Sequence, residues 1–163
     1  MNKKGFTLME LLIVVVIIAG FAALTYPSYR SSIERARASE AVNMLGTIQA
    51  AQQKHFVNYE EYGTKFSDIN DFEPGIKNFN PNATSFDTEY FRYDISRVEG
   101  MRPLASADRI NSHGETLAVG YRLVAMYKED FIRCVILNNS EEGIKVCSSL
   151  TDRERDSNYY PIY

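Results

Sequence analysis

The sequence predicts an α+β protein in which a long N-terminal helix packs by its C-terminal half against an antiparallel β-sheet of about four strands. Two observations support this fold class. An apolar run and then an amphipathic pattern at three- to four-residue steps occupy residues 6–56, whereas alternating apolar and polar residues follow residue 90. Because the helical part comes first and the strands follow together, the sheet is expected to form a second layer on the helix. With 163 residues, the chain is long enough for one globular head beyond the apolar run.

The apolar run forms the first half of the predicted helix. Every residue from Leu11 to Leu24 is apolar or glycine, and Leu8 and Met9 extend the run on the other side of Glu10. About 17 residues can therefore lie in hydrocarbon as a helix of about 25 Å, which is barely a membrane span. An acidic side chain near the centre of a bilayer costs a few kcal/mol and usually has a function there. A carboxylate at the front of this run therefore needs an explanation.

The second half of the helix is amphipathic. One stripe of mostly apolar positions recurs at helical spacing, with charged and amide side chains between them. Pro27 removes one i to i−4 hydrogen bond and Gly20 lowers the helix propensity, so a kink is expected between the two halves. The stripe consists of Ile33, Arg37, Ala41, Met44, Leu45, Ile48, Ala51 and Phe56.

Two general interpretations of the N-terminus leave features unexplained. A secretory signal has a basic start, an apolar stretch and a small-residue cleavage site, but bulky residues follow the apolar run between Thr25 and Arg30. A membrane anchor with Lys3 and Lys4 in the cytoplasm fits the charges. That interpretation gives no role to Glu10.

The segment KKGFTLMELL, which begins at Lys3, resembles the type III signal of a type IV prepilin. The resemblance implies that a prepilin peptidase cuts between Gly5 and Phe6 and that Phe6 is then N-methylated. It also implies that Glu10 is the hallmark glutamate of the family, four residues after the new N-terminus. Further positions that match the family's motif are Thr7, Leu8 and Pro27.

Physical reasoning about Glu10 agrees with this resemblance. Cleavage after Gly5 removes Lys3 and Lys4, leaves 16 basic side chains against 21 acidic ones, and creates an amine at Phe6. Along a helix the amine and Glu10 are i to i+4 neighbours, so their charges can offset each other within one subunit. The resemblance implies that in a filament Glu10 meets the Phe6 amine of the next subunit. Because a buried charge without its partner is costly, Glu10 is expected to set the register of subunit packing.

The predicted sheet occupies the C-terminal half. Residues 57–89 contain glycine and proline among many Asn and Asp residues and are predicted to form a surface loop, and residues 101–115 a second loop. The segment NNSEEG after Leu137 favours a hairpin turn. The predicted strands are residues 90–96, 117–126, 131–137 and, more weakly, 144–150.

Two cysteines, Cys134 and Cys147, are separated by twelve residues. In a chain exported to an oxidising compartment, such a pair is most simply a disulfide. The resemblance also implies a bridge of this kind, because many pilins close a C-terminal loop with one. Placed across two adjacent strands, the bridge would bring the Cα atoms to about 5.5 Å.

The sequence gives no indication of an enzyme, a metal site or a cofactor. It shows no nucleophile paired with a base, no phosphate loop and no calcium-type run of carboxylates. Two thiols cannot fill a zinc shell, and His55 and His113 have no ligand spacing to them. The net charge of −3 without a large basic block gives no clear nucleic-acid site. Asn82 and Asn138 begin the possible glycosylation sequons NAT and NNS.

The resemblance implies a structural subunit of a type IV pilus that forms a helical homo-oligomeric filament. Its partners would be the inner membrane before assembly, the prepilin peptidase, a methylating activity and the pilus assembly machinery, and its final location the extracellular pilus. A minor pilin and a pseudopilin of type II secretion are the alternatives. The predicted segments are a leader (1–5), an apolar transmembrane and filament-core half-helix (6–29), an amphipathic half-helix (30–56), a loop (57–89), and the sheet with its disulfide loop (90–163).

Overall fold

The computed structural model describes residues 6–69, 72–76, 79–96, 104–111, 113–117, 120–127 and 131–162. Within these ranges the chain forms two helices and six strands. It divides into two compact units, residues 1–34 and residues 35–163. The elements are α1 (Leu8–Tyr59), β1 (Ser85–Asp87), β2 (Phe91–Ser96), β3 (Leu104–Arg109), β4 (Tyr121–Met126), β5 (Ile132–Ile136), α2 (Glu141–Ser149) and β6 (Tyr159–Ile162).

The first unit contains the N-terminal part of α1. Its large apolar side chains are exposed, with exposed fractions between 47% at Ile13 and 83% at Leu8. The helical assignment of α1 continues through Gly20 and Pro27, and the kink expected at these two residues stays a prediction. Because these apolar side chains are not buried within the chain, another apolar environment has to cover them.

The second unit contains one antiparallel sheet in which each strand pairs with the next along the chain, in the order β1-β2-β3-β4-β5-β6. Successive side chains point to opposite faces. In β4, Tyr121, Leu123 and Ala125 are buried, whereas Arg122 between them is exposed. The face that carries Tyr121, Leu123 and Ala125 therefore lies toward the core, and the face that carries Arg122 lies toward solvent.

Alternating charges mark the outer face of the sheet. Asp87, Arg92, Asp108 and Arg122 lie directly opposite one another on β1, β2, β3 and β4. Arg122 Nε lies 2.5 Å from Asp108 Oδ1, and Arg92 Nε lies 2.7 Å from Asp87 Oδ1. Exposed ion pairs contribute little stability each, but a slip of one residue would turn this row toward the core. The row therefore helps to fix the register of four strands.

The C-terminal part of α1 and the inner face of the sheet contribute to one hydrophobic core. Small side chains on both elements, such as Ala41 on α1 and Ala107 on β3, are fully buried. The amide of Gln49 also donates to the carbonyl of Met126 on β4 at 3.2 Å. The fully buried residues of α1 follow the helical spacing and are Ala38, Ala41, Leu45, Ile48 and Gln52.

Gln52 is a buried polar residue whose amide bonds to one backbone position beyond the helix. Its Nε2 donates to Gly63 O at 3.0 Å, and its Oε1 accepts from Gly63 N at 2.9 Å. Both ends of the amide are therefore satisfied, as a buried polar group requires. This pair of bonds attaches the chain after α1 to the side of the helix.

The segment between α1 and β2 carries a cluster of four phenylalanines. The ring centroids of every pair lie within 6.1 Å of each other. Aromatic pairs contribute about 0.5–1.5 kcal/mol beyond the area that they bury. The prediction of a surface loop misses this packing, because the apolar residues here follow no regular period. The cluster consists of Phe66, Phe72, Phe79 and Phe86, and Phe86 also stacks on Tyr93 of β2.

The sheet has six strands rather than about four. Strands β2, β4 and β5 confirm the predictions for residues 90–96, 117–126 and 131–137, of which residues 118 and 119 lie outside the described residues. The strand predicted at residues 144–150 is wrong, because these residues lie mostly in α2. Strand β3 lies in the predicted loop 101–115, of which residues 101–103 and 112 are outside the description. Strands β1 and β6 have no counterpart among the predicted strands.

The predicted hairpin after Leu137 is a helix start instead. Ser140 is the N-cap of α2, and its hydroxyl accepts a hydrogen bond from Gly143 N at 3.2 Å. Glu141 and Glu142 in the first turn are favourable at the positive end of the helix dipole. The serine and the two acids in NNSEEG are therefore a capping signature rather than a hairpin turn.

The start of α2 packs against the start of β4 through two glycines. Gly120 has a φ of 78°, a conformation that favours glycine. A Cβ on Gly143 would overlap the carbonyl oxygen of Gly120, and a Cβ on Gly120 would overlap Ser140. Gly120 O also accepts from Leu137 N at 2.7 Å. Side chains at these two positions would push α2 away from the sheet.

We predict that Gly143→Ala lowers the free energy of unfolding by about 2 kcal/mol, because overpacking against backbone has no flexible neighbour to absorb it. Gly46→Ala is the matched control, since a Cβ there meets no atom within 4 Å. It should raise the free energy of unfolding by about 0.5–1 kcal/mol, the usual gain for Ala over Gly inside a helix. Denaturant unfolding of the full chain in detergent, followed by circular dichroism, measures both. Equal effects of the two variants would contradict the packing described here.

Candidate assembly site at the N-terminus of the first helix

Thr7 and Glu10 form a reciprocal capping box at the start of α1. Thr7 N and Thr7 Oγ1 both donate to Glu10 Oε2, at 2.9 and 2.7 Å. In return, Glu10 N donates to Thr7 Oγ1 at 3.2 Å. This arrangement satisfies backbone donors that the first turn of a helix leaves without partners.

The capping box uses one oxygen of the Glu10 carboxylate. Both bonds from Thr7 end on Oε2, and no described residue donates a hydrogen bond to Oε1. The carboxylate and Phe6 are exposed, with Phe6 at 87%. An ionised carboxylate offers about four acceptor sites. Glu10 can therefore accept a further donor without giving up its role in the cap.

The apolar segment that contains Glu10 is long and apolar enough to cross a membrane. Within the described residues it covers Leu8–Tyr26, with 19 residues, a mean hydropathy of 2.6 and none of its length buried. The hydroxyl of Thr25 donates to the carbonyl of Phe21 at 3.0 Å. This polar side chain is therefore satisfied inside the helix and adds little cost in lipid.

The structure brings together three of the residues singled out from the sequence. Phe6, Thr7 and Glu10 lie within the first turn of α1 or directly before it. Gly5 lies outside the described residues, and a Cβ at Gly20 would meet no atom within 4 Å. Processing at Gly5 and Phe6 and the register role of Glu10 stay predictions. The sequence analysis missed the cap, although Thr-x-x-Glu before an apolar run is a capping signature.

The second predicted feature is the disulfide, which joins Cys134 on β5 to Cys147 on α2 with the Cα atoms 5.6 Å apart. Both cysteines are fully buried. The predicted pairing is present, but its predicted setting between two strands is wrong, since Cys147 lies on a helix. The bridge attaches α2 to the sheet at a second point besides the glycine contact.

We predict that Cys134→Ala with Cys147→Ala lowers the free energy of unfolding by about 3 kcal/mol, because the bridge limits the freedom of the unfolded chain. Denaturant unfolding of the full chain with and without dithiothreitol measures this difference. The reductant should bring the native protein to the stability of the variant and leave the variant unchanged. A native protein whose unfolding is insensitive to complete reduction would contradict the prediction.

Side chains that could carry other chemistry are dispersed. Among the residues that the structure describes, no three His, Cys, Asp or Glu side chains are grouped so as to hold a metal ion. His55 lies on α1 with its ring 4.6 Å from that of Tyr59, and Nδ1 of His55 is buried. His113 lines a cleft at the edge of the sheet.

The N-terminal part of the chain is similar to known proteins. Residues 1–26 match a family model described as the prokaryotic N-terminal methylation motif. The type IV major pilin protein PilE1 of Neisseria gonorrhoeae is 35% identical over 60 residues, which are 37% of this chain and 36% of that protein. The N-terminal part of this chain is therefore similar to the N-termini of type IV pilins. The prepilin resemblance of KKGFTLMELL is thereby confirmed.

Two fimbrial proteins show similarity of comparable extent. The fimbrial protein EcpC of Eikenella corrodens is 41% identical over 54 residues, which are 33% of this chain and 35% of EcpC. The type IV major fimbrial protein FimA of Dichelobacter nodosus is 38% identical over 64 residues, or 39% of this chain and 41% of FimA. The chain thus spans between 35% and 41% of the length of these relatives.

Proposed function

We propose that the chain is a structural subunit of a type IV pilus. The subunit enters the inner membrane as a prepilin, is cut between Gly5 and Phe6, is methylated on the Phe6 amine, and polymerises into an extracellular filament by packing of α1. Its role is structural rather than catalytic. The observation that carries the proposal is the prepilin-like N-terminal helix. None of its apolar segment is buried, and the carboxylate of Glu10 lies in its first turn.

The apolar segment suits storage in a membrane. Leu8–Tyr26 offers lipid an apolar surface of which none is buried by the protein itself. Glu10 lies in the first turn of α1, near the end of the span where an ionised group costs less than at the bilayer centre. The bonds from Thr7 lower that cost further, because they replace part of the hydration of the carboxylate.

Assembly then needs a directional interaction. Lipid tails are as apolar as the side chains of α1, so leaving the membrane for a bundle of helices brings little hydrophobic gain. A carboxylate buried in such a bundle needs a partner of opposite charge. The amine created at Phe6 of a neighbouring subunit is that partner, and Glu10 Oε1 is the acceptor available to it. Correct axial stacking therefore differs from misaligned stacking by one buried ion pair.

The relatives are named fimbrial proteins and major pilins. Those names favour a subunit of the filament itself over the pseudopilins of type II secretion.

We predict that intact-mass measurement of protein sheared from cells shows a chain that begins at N-methylated Phe6. After reduction and alkylation, the mass should increase by two alkyl groups, one for each of Cys134 and Cys147. Alkylation without prior reduction should leave the mass unchanged. Protein that stays in the cell membrane with Met1 attached would contradict both processing and assembly.

We predict that Glu10→Gln lowers filament yield by about tenfold or more, because it removes a buried charge partner. Glutamine at this position preserves the capping box with Thr7, so the variant should still insert in the membrane. Sheared filaments and membrane fractions from the same cells measure both quantities.

Thr7→Ala separates the two roles of Glu10. This variant loses the cap, which costs about 1 kcal/mol, but keeps the carboxylate, so its filament yield should fall much less than that of Glu10→Gln. Glu40→Gln is the matched control, because it removes an exposed acid from α1 outside the apolar segment. An unchanged yield for Glu10→Gln would show that the charge of Glu10 has no role in assembly. A yield for Thr7→Ala as low as that for Glu10→Gln would show that assembly depends on the cap as much as on the charge.

A further inference from the structure

The apolar segment of α1 ends in a group of amphipathic side chains. Tyr26 is the last residue of the segment, and Tyr29 and Arg30 follow it along the same helix. We propose that this group is a phospholipid anchor, in which the guanidinium of Arg30 binds the phosphate of a lipid headgroup and the two tyrosines lie at the edge of the hydrocarbon. The inference rests on the membrane-inserted precursor of the proposed function and adds a lipid site to it.

Tyr26, Tyr29 and Arg30 lie on one side of the helix. Residues three and four apart are neighbours on a helix surface, so positions 29 and 30 both adjoin position 26. The tyrosines are 62% and 64% exposed, and Arg30 is exposed as well. The opposite side carries small residues such as Ser28 and Ser32, and the hydroxyl of Ser32 donates to the carbonyl of Ser28 at 3.0 Å. The bulky amphipathic side chains are therefore gathered on one side of the helix.

The length of the segment places this group at the headgroups. At 1.5 Å per residue, the 19 residues of Leu8–Tyr26 span about 28 Å, close to the hydrocarbon thickness of about 30 Å. Glu10 holds the other end of the segment near the opposite surface, because an ionised group is costly at the bilayer centre. Arg30 then lies about 6 Å beyond Tyr26, within a headgroup layer of about 5–8 Å. The helix therefore presents Arg30 at the level of the lipid phosphates.

The guanidinium of Arg30 has its hydrogen-bond donors free for a ligand. It forms no hydrogen bond or ion pair with any residue that the structure describes. Its planar fork matches a phosphate, to which it can donate two parallel bonds. Arg30 is the first charged residue after the apolar segment, and the next, Glu34, follows a full turn later. The charge at the end of the segment is therefore positive and complements a phosphate.

The two tyrosines favour a membrane surface over a soluble phosphate as the partner. A tyrosine combines an apolar ring with a polar hydroxyl, and such side chains are enriched where a membrane meets water. Neither hydroxyl has a hydrogen-bond partner in the part of the chain that the structure describes. A soluble phosphate needs several converging donors, whereas this side of the helix offers one guanidinium beside two rings. A lipid headgroup satisfies both kinds of side chain together.

Solid-state NMR of the full chain in vesicles tests the contact between Arg30 and lipid phosphorus. The chain carries ¹³C-labelled arginine, the vesicles consist of phosphatidylethanolamine and phosphatidylglycerol, and the buffer contains no phosphate. We expect ³¹P to dephase one arginine Cζ signal at about 4–5 Å, the separation that N–H···O bonds of about 2.8 Å impose. Arg30→Gln should remove this signal. Arg35→Gln is the matched control, because Arg35 is an exposed arginine of α1 five residues further from the segment.

The depth of the helix end tests the tyrosines separately. A spin label on the thiol of Ser31→Cys reports this depth by electron paramagnetic resonance, and both native cysteines are already joined in the disulfide. Tyr26→Leu with Tyr29→Leu extends the apolar run by three residues, so the label should move toward the hydrocarbon by roughly 4 Å. Tyr59→Leu is the control, because Tyr59 is an exposed tyrosine of α1 outside the segment.

Three NMR results would overturn the lipid site: no arginine signal dephased by phosphorus, a dephased signal that survives Arg30→Gln, or an equal loss in Arg35→Gln. An unchanged label depth in the double leucine variant would overturn the role of the tyrosines.

Carbonate extraction of the vesicles distinguishes these results from a failure of the proposed function. A chain that carbonate removes does not span the bilayer, and the membrane-inserted precursor is then wrong. A chain that resists extraction but shows no contact with phosphorus excludes the lipid site alone.

Discussion

One helix has to satisfy two different environments, and the rest of the structure follows from that constraint. Up to Tyr26, α1 is apolar except at Glu10 and is exposed on all sides, a surface that suits lipid or other helices. From Ala38 to Gln52 the same helix buries only one stripe against its own head. The helix runs on from one part to the other. What changes is the pattern of its residues, from apolar on all sides to apolar along one stripe, and only the stripe is covered by the chain itself.

The head holds its C-terminal part by two independent contacts between α2 and the sheet. The close approach of Gly120 and Gly143 sets the distance of the helix start from β4, and the Cys134–Cys147 bridge fixes a later turn to β5. A helix of nine residues is too short to be stable alone. Its presence therefore depends on packing and on the covalent bridge, while its start is defined locally by the Ser140 cap.

The features that the sequence predicted well are those with a strong local period or a specific motif. The long helix, strands β2, β4 and β5 and the cysteine pair were predictable for this reason, as was the prepilin N-terminus.

Strand β3 reads LASADR, whose small side chains carry no strand preference of their own and fit because Ala105 and Ala107 face the core. The short run around Cys147 has apolar spacing compatible with either element, and the Ser140 cap decides for a helix. The cleft that His113 and Tyr90 line brings residues from three distant segments together, which no local pattern indicates.

The capping box is compatible with the two roles proposed for Glu10, before assembly and during it. In an isolated subunit, Thr7 supplies two donors to Oε2 of Glu10, so the carboxylate does not need an ion pair to start the helix. Burial by neighbouring helices removes the water that solvates the remaining lone pairs, and the cost of that loss is high unless a cation replaces it. The amine at Phe6 exists only after the leader has been cut. Under the proposed function, an uncut chain would therefore bring the carboxylate but not the cation into a filament, and the residue proposed to set the register would also exclude unprocessed subunits.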